Sequence, residues 1–274
     1  MATVVFFHAH PDDEALSTGG SMALLAEAGH RILLVLATRG EEGEPVPGVL
    51  MDGEDLADRR TTELRKAASL LGVARIEFLG YRDSGMAGSA TNNNPDCFFQ
   101  ADVNGVVDRL SEILDNERVD LIVIYDPNGG YGHPDHIQVH RTGTMWAASV
   151  GLNQIRWVTL NRDAIREIID SAIDSGSTDG LTGIGDDLFE RRRRIEEDSF
   201  GSPASEITHA IDVESFIDCK REAIAAHESQ ISSDSFFLTM SDDLFFKAFG
   251  TEWFIDPENP RSSEGQFITD LFNI

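Results

Sequence analysis

Short apolar runs recur along the first half of the chain, at 3–8 (TVVFFH), 31–37 (RILLVLA), 75–79 (RIEFL) and 119–125 (VDLIVIY). Between them the apolar positions fall at helical spacing, over about 14–28, about 53–71 and about 101–115. In the second of these segments Leu56, Leu64, Ala67, Leu70 and Leu71 share a face. Near-continuous apolar strands alternating with amphipathic helices predict an α/β fold, a Rossmann-like, mostly parallel sheet with helices on both faces. Beyond residue 150 the pattern weakens. It predicts a strand at 155–160 (IRWVTL), helices near 163–172 and 185–198, a strand at 206–212 and a helix at 213–230. The Gly/Ser/Asp-rich stretch 174–188 and the tail 256–265 read as loops or lids. With no internal repeat, 1–274 reads as a single domain. Its α/β core is 1–150, and 151–274 is an irregular α+β elaboration on the substrate side.

Each apolar run of the first half ends in a polar loop. His8-Ala9-His10-Pro11-Asp12-Asp13 follows the first, Thr38–Gly43 the second, Gly80–Gly85 the third and Asp126–His133 the fourth. Ligands of such sheets bind outside the carboxyl ends of the strands, so all four loops are expected on the functional rim.

Two of these loops carry unusual chemistry. Asp12, Asp13 and Glu14 are three adjacent carboxylates where a strand leaves the core, a crowding that costs hydration and mutual repulsion unless a cation sits among them. His10 and Asp13 can converge on one point, and so can a histidine of His133-Pro134-Asp135-His136. Pro134 suits a first helical turn, which would set His136 inside that turn. Two histidines and one carboxylate with an open fourth position make a zinc site of the catalytic type. Bound zinc lowers the pKa of water to about 7, and the spare carboxylate Asp12 could take the proton. The plainer reading of HPDDE alone is a helix start whose acids favour the dipole. His140, four residues after His136, is a rival ligand that reads better as packing. His8 reads as structural, and His30, His209 and His227 as surface or helix-end residues. The same donor set also accepts Fe2+, cobalt or manganese.

Composition removes several classes of function. A net charge of −26 over 274 residues repels nucleic acid and anionic membranes within about 8 Å, the Debye length at physiological salt. The basic cluster Arg191–Arg194 is answered by Glu196, Glu197 and Asp198, so it reads as a solvated helix face. No apolar run reaches the roughly 18 residues of a membrane span, and no export signal stands at the N-terminus, which predicts a cytoplasmic protein. Cys97 and Cys219 read as reduced. The expected partner is a small molecule.

The motifs AHPDDE (9–14) and HPDH (133–136) resemble the PIG-L (LmbE-like) zinc deacetylase superfamily. ATRGEEGE (37–44), GYRDSGMAGS (80–89) and YDPNGGYGHPDH (125–136) narrow the resemblance to one group within it, the mycothiol-biosynthesis N-acetylglucosaminyl-inositol deacetylases and the mycothiol conjugate amidases. KREAIAAHESQ (220–230) and FGTEWF (249–254) extend it more loosely. The resemblance implies His10, Asp13 and His136 as zinc ligands and Asp12 as general base. It implies His133 as the acid or the oxyanion-stabilising cation, Tyr131 as a further oxyanion contact and Asp135 as the orienter of a neighbouring histidine. It implies Arg60 and Asp83 as grips on an amino-sugar substrate. An i,i+3 pair with Glu63 is the structural alternative for Arg60, and a turn beside Ser84-Gly85 that for Asp83. Ser17, where the amidases tend to carry lysine, leans towards deacetylation. The alternatives are an amidase of mycothiol S-conjugates and a non-catalytic sugar-binding protein with a structural metal.

Overall fold

The computed structural model describes residues 1–175, 200–262 and 265–273. The expected runs form the parallel strands β1 (Thr3–His8), β2 (Arg31–Leu36), β3 (Arg75–Phe78), β4 (Leu121–Tyr125) and β5 (Ile155–Thr159). Val4–Phe7, Ile32–Leu36 and Leu121–Tyr125 are buried without alternation, which requires cover on both faces of the sheet. That cover comes from α1 (Asp13–Glu27), α2 (Leu56–Leu70), α3 (Val103–Leu114), α4 (Pro134–Val150), α5 (Arg162–Ser175), α6 (Ile217–Ala225) and α7 (Asp242–Phe249). Helices α1, α2 and α6 pack on one another, and α3 packs on α4. The starts are written in the sequence. Asp55 caps α2 by accepting from the Asp58 N–H, and Asp102 caps α3 by accepting from the Gly105 N–H.

Two further strands, β6 (His209–Asp212) and β7 (Thr251–Ile255), complete a sheet of order β3-β2-β1-β4-β5-β7-β6 among the described residues. Strand β7 pairs antiparallel with both β5 and β6. The order reverses direction between β1 and β4, so the loops leaving these two strands flank the crevice where sheets of this kind bind ligands. None of the described helices is long and apolar enough to cross a membrane.

The C-terminal part departs from the sequence pattern. Strand β7 was not expected, because its buried positions are Glu252 and Phe254, and a buried glutamate breaks the apolar signal. Glu252 is satisfied instead by the N–H groups of Gly20 and Ser21 and by Lys220 Nζ at 2.6 Å. Helix α7 likewise lies where the sequence pattern predicts no element. The helix expected over 213–230 is shorter, a single turn at Glu214–Phe216 followed by α6, because 227–229 are drawn off by side-chain bonds to Glu14 and Glu63. His209 is fully buried rather than superficial, since Ile268 bridges to its strand and Asn273 O lies 3.1 Å from its Nε2. The helix expected near 185–198, with Arg191–Arg194, and most of the loop 174–188 lie outside the described residues.

Gly20 shows how closely the C-terminal segment approaches α1, for a Cβ there would stand 2.5 Å from Val213 Cβ. Gly20→Ala is therefore expected to destabilise by about 1–3 kcal/mol through overpacking, despite the better helix former. Gly19→Ala, whose Cβ would meet Leu71 at an ordinary 3.4 Å, should be neutral or stabilising. Chemical denaturation of both variants checks the contrast.

Candidate metal centre and active site

The first site loop leaves β1 at His8 and reaches α1 within four residues. Asp12, directly before α1, has φ 108°, the one positive φ outside glycine among the described residues. Such a conformation costs on the order of 1–3 kcal/mol and persists only where its surroundings over-determine it. Here the Asp12 N–H donates to Glu14 Oε2 at 2.9 Å, while Arg60 Nη2 donates to Asp12 Oδ2 at 3.1 Å and to Pro11 O. Burial pushes the Asp12 carboxyl up to about 6, with Arg60 opposing.

The second loop follows β4. Tyr125 ends that strand stacked on His136, with ring centroids 4.1 Å apart and planes 11° from parallel. Gly129 has φ 65°, and a Cβ on it would lie 2.7 Å from His136 Cβ, so a glycine is required for this approach. The approach lets the Gly129 carbonyl accept from His136 Nδ1 at 3.1 Å. A carbonyl only accepts, so the ring proton is on Nδ1 and His136 Nε2 presents a lone pair. That Nε2 is buried without a hydrogen-bond partner and lies 3.3 Å from Asp13 Oδ2.

His10 meets the same oxygen from the other side. Its Nδ1 is 3.3 Å from Asp13 Oδ2, while its Nε2 is 3.1 Å from Asp135 Oδ2 and 3.4 Å from Asp83 Oδ1. The His10 and His136 rings stand 5.5 Å apart, centre to centre. With the His10 Nε2 proton directed at Asp135, a carboxylate oxygen and two imidazole nitrogens crowd one point, and although burial opposes it, Asp83, Asp13 and Asp135 raise the His10 pKa well above the ordinary value, so the point attracts positive charge. A divalent cation resolves that crowding, and the buried orphan at His136 Nε2 is the observation by which these residues fit one. Two overlapping sets of donors, His10 with His133 and His136 and His10 with Asp83 and Asp135, each lie within 4.8 Å of one another.

The remaining candidates surround this point. His133 caps α4, its Nδ1 accepting from the Asp135 N–H at 3.2 Å, which leaves the proton of the neutral ring on Nε2. Burial, reinforced by His10 and His136, lowers its pKa to about 3. Asp135 is held by the Ser84 N–H at 2.9 Å and by the Ser84 hydroxyl. Tyr131 is 44% exposed over the whole residue and stands edge-on to His136, but its hydroxyl is set among neighbouring groups, and that local desolvation, with Asp13 and Asp12 nearby, pushes its phenol well above the ordinary range. A cavity of about 490 Å3 opens between Asp12, Asp13, Tyr131 and His136 and runs outward past Ile165 and Phe249.

Arg60 and Asp83 do not line that cavity. Arg60, 4% exposed, spends its guanidinium on Gly40 O, Pro11 O and Asp12, and Glu63 is taken by Arg59 and Ser229 instead. Asp83 does form the turn, accepting from the Gly85 N–H at 2.8 Å, and also faces His10. His140 turns away, its Nδ1 3.0 Å from Tyr125 O and its ring against Trp157. His8 is buried between the Tyr125 and Thr18 hydroxyls. His227, expected at the surface or a helix end, does lie just past the end of α6 but is fully buried, with its Nε2 2.6 Å from Glu14 Oε1. The sequence signal that could have marked it is its place in KREAIAAHESQ, where it follows an apolar helical face.

A family model described as PIG-L, GlcNAc-PI de-N-acetylase, matches residues 5–147. A 1D-myo-inositol 2-acetamido-2-deoxy-alpha-D-glucopyranoside deacetylase of Acidothermus cellulolyticus is 38% identical, covering 93% of this chain and 88% of that protein. A protein of the same name from Thermobifida fusca is 38% identical, covering 98% of each. Among solved structures, the N,N'-diacetylchitobiose deacetylase of Pyrococcus horikoshii shares the fold with a TM-score of 0.51 and 22% identity, over 89% of this chain and 72% of that one. The chain belongs to the PIG-L family of de-N-acetylases.

Proposed function

We propose that this chain is a zinc-dependent hydrolase releasing acetate from an N-acetylglucosaminyl compound, with inositol as the aglycone. The observation that carries the reading is Asp13 Oδ2 standing 3.3 Å from one nitrogen of His10 and one of His136. His10, Asp13 and His136 would hold the cation, which when bound supplies Lewis acidity and makes water nucleophilic near neutral pH. Fe2+ fits the same donors. Asp135 and the Gly129 carbonyl fix the ring orientations of His10 and His136 from behind.

Asp12 takes the proton of the attacking water. With its pKa pushed up to about 6 the carboxylate is ionised at pH 7 yet basic enough to accept. The Nε2–H of His133 and the phenol of Tyr131 donate to the oxygen on which negative charge develops. As the C–N bond breaks, the amine leaves with the proton that Asp12 took from the water, and acetate is released, while the neutral ring of His133 only donates its Nε2–H to the oxyanion. Arg60 and Asp83 are proposed to act on Asp12 and His10 and only through them on the sugar. The small amino-sugar named for the relatives supports the substrate class.

One observation favours a second reading, cleavage of the cysteinyl amide of mycothiol S-conjugates. The outer cavity wall is apolar, with Ile165, Phe237, Phe249 and Trp253, which suits the S-substituent of a conjugate better than a polyol. Against it, Ser17, which also lines the cavity, stands where the amidases tend to carry lysine.

Asp12→Asn is expected to keep a full complement of metal while kcat falls by about 10²–10⁴-fold, the usual worth of a positioned base. Elemental analysis beside steady-state kinetics checks this, and unchanged turnover would remove Asp12 from the role. His136→Ala should lose the metal itself, and an enzyme that keeps stoichiometric zinc without His136 contradicts the ligand set. Acetate release from N-acetylglucosaminyl-inositol, assayed beside amine release from a mycothiol S-conjugate, decides the substrate. Cleavage of the conjugate alone would transfer the assignment to the amidase.

A further inference from the structure

We infer that His227, acting through Glu14, is a positioning residue that holds the Asp12 carboxylate in place for proton abstraction. The inference rests on the reading of Asp12 as the base. Three observations carry it. First, His227 and Glu14 are both fully buried and meet at 2.6 Å, with Glu14 Oε1 on His227 Nε2 and Glu14 Oε2 accepting the Asp12 N–H at 2.9 Å. One carboxylate therefore links a histidine of the C-terminal part to the backbone of Asp12.

Second, the residue so held is the one strained non-glycine residue of the described chain, at φ 108°. A backbone in that region relaxes when its restraints are removed. The Glu14 carboxylate restrains the Asp12 amide and Arg60 restrains its side chain, so loss of the first frees the backbone while the second still pulls on the carboxylate. A base displaced by about 1 Å can lose on the order of 10²-fold in rate.

Third, His227 is itself clamped. Glu63 on α2 accepts from both the N–H and the hydroxyl of Ser229, and Val46 N–H donates to Ser229 O. His227 N–H closes a turn onto Ile224 O at the end of α6. The segment is thus anchored to α2, to the loop after β2 and to α6 before its imidazole reaches Glu14. A histidine that only filled space would need no such donor alignment.

The geometry makes a chemical distinction testable. The amide nitrogen of glutamine reproduces the reach of histidine Nε2, whereas that of asparagine reproduces Nδ1 and stops short of Glu14. His227→Gln is expected to keep kcat within about threefold of the wild type. His227→Asn should lose about tenfold or more in kcat, with KM and metal content within about twofold of the wild type. The assay uses the metal-loaded full chain and the N-acetylglucosaminyl compound it turns over fastest, with Asp12→Asn as the reference. A His227→Asn enzyme with wild-type kcat overturns the inference, as does a His227→Gln enzyme no better than His227→Asn, or a loss that tracks metal content or KM. Wild-type turnover by Asp12→Asn overturns the base assignment itself, an outcome distinguishable from failure at His227 alone.

Discussion

Five carboxylates, Asp12, Asp13, Glu14, Asp83 and Asp135, gather at the mouth of one crevice, and four of them are almost fully buried. Burial on this scale is tolerable only if each negative charge meets a fixed positive partner or a set of donors. Asp12 has Arg60, Glu14 has His227, Asp83 has the N–H groups of Glu42 and Gly85, and Asp135 has Ser84. Asp13 is different, because beyond the His10 N–H it faces two imidazole nitrogens that have given their protons elsewhere. The surrounding shell is complete and its centre lacks a positive charge. That imbalance ties the geometry to metal chemistry.

The topology explains why these groups can meet. His10 and Asp13 follow β1, and His133 to His136 follow β4, adjacent strands from which the chain departs in opposite directions across the sheet. The C-terminal part then braces α1 from two directions. Glu252 on β7 accepts from the N–H groups of Gly20 and Ser21 while holding Lys220, and His227 engages Glu14 nearly two turns earlier. Most of these braces are charged and buried, so α1 is fixed by directional bonds rather than by apolar area alone. These bonds fix the start of α1, where the proposed metal ligand Asp13 directly follows the proposed base Asp12.

The first half of the fold is legible in the sequence because its strands are buried on both faces and read as unbroken apolar runs. The rim is legible for a related reason, since carboxylates and histidines directly after such runs have no packing explanation. The rest is hidden where burial is polar. Strand β7 carries Glu252 inward, β6 carries His209 inward, and His227 looks like a helix-end residue until Glu14 is placed 213 positions away. Hydrophobic periodicity is blind to a buried polar side chain whose partner is distant in sequence. Arg60 illustrates the same limit on a smaller scale. Spacing suggested Glu63, yet helix α2 pairs Glu63 with Arg59 and turns Arg60 towards Asp12.

The histidines of the site differ in role because of what holds the nitrogen away from the centre. His136 gives its Nδ1 proton to a backbone carbonyl and His10 gives its Nε2 proton to Asp135, so each turns a lone pair towards Asp13. His133 accepts at Nδ1 from the amide that starts α4, so its remaining nitrogen carries hydrogen. Two acceptors and one donor thus arise from one residue type by the polarity of three backbone or carboxylate contacts. The assignment is robust to solvent because all three rings are buried, and the partner of His133 is a backbone N–H that cannot change its polarity. The division between the two rings proposed to bind a cation and the one proposed to donate to an oxyanion therefore follows from contacts built into the fold.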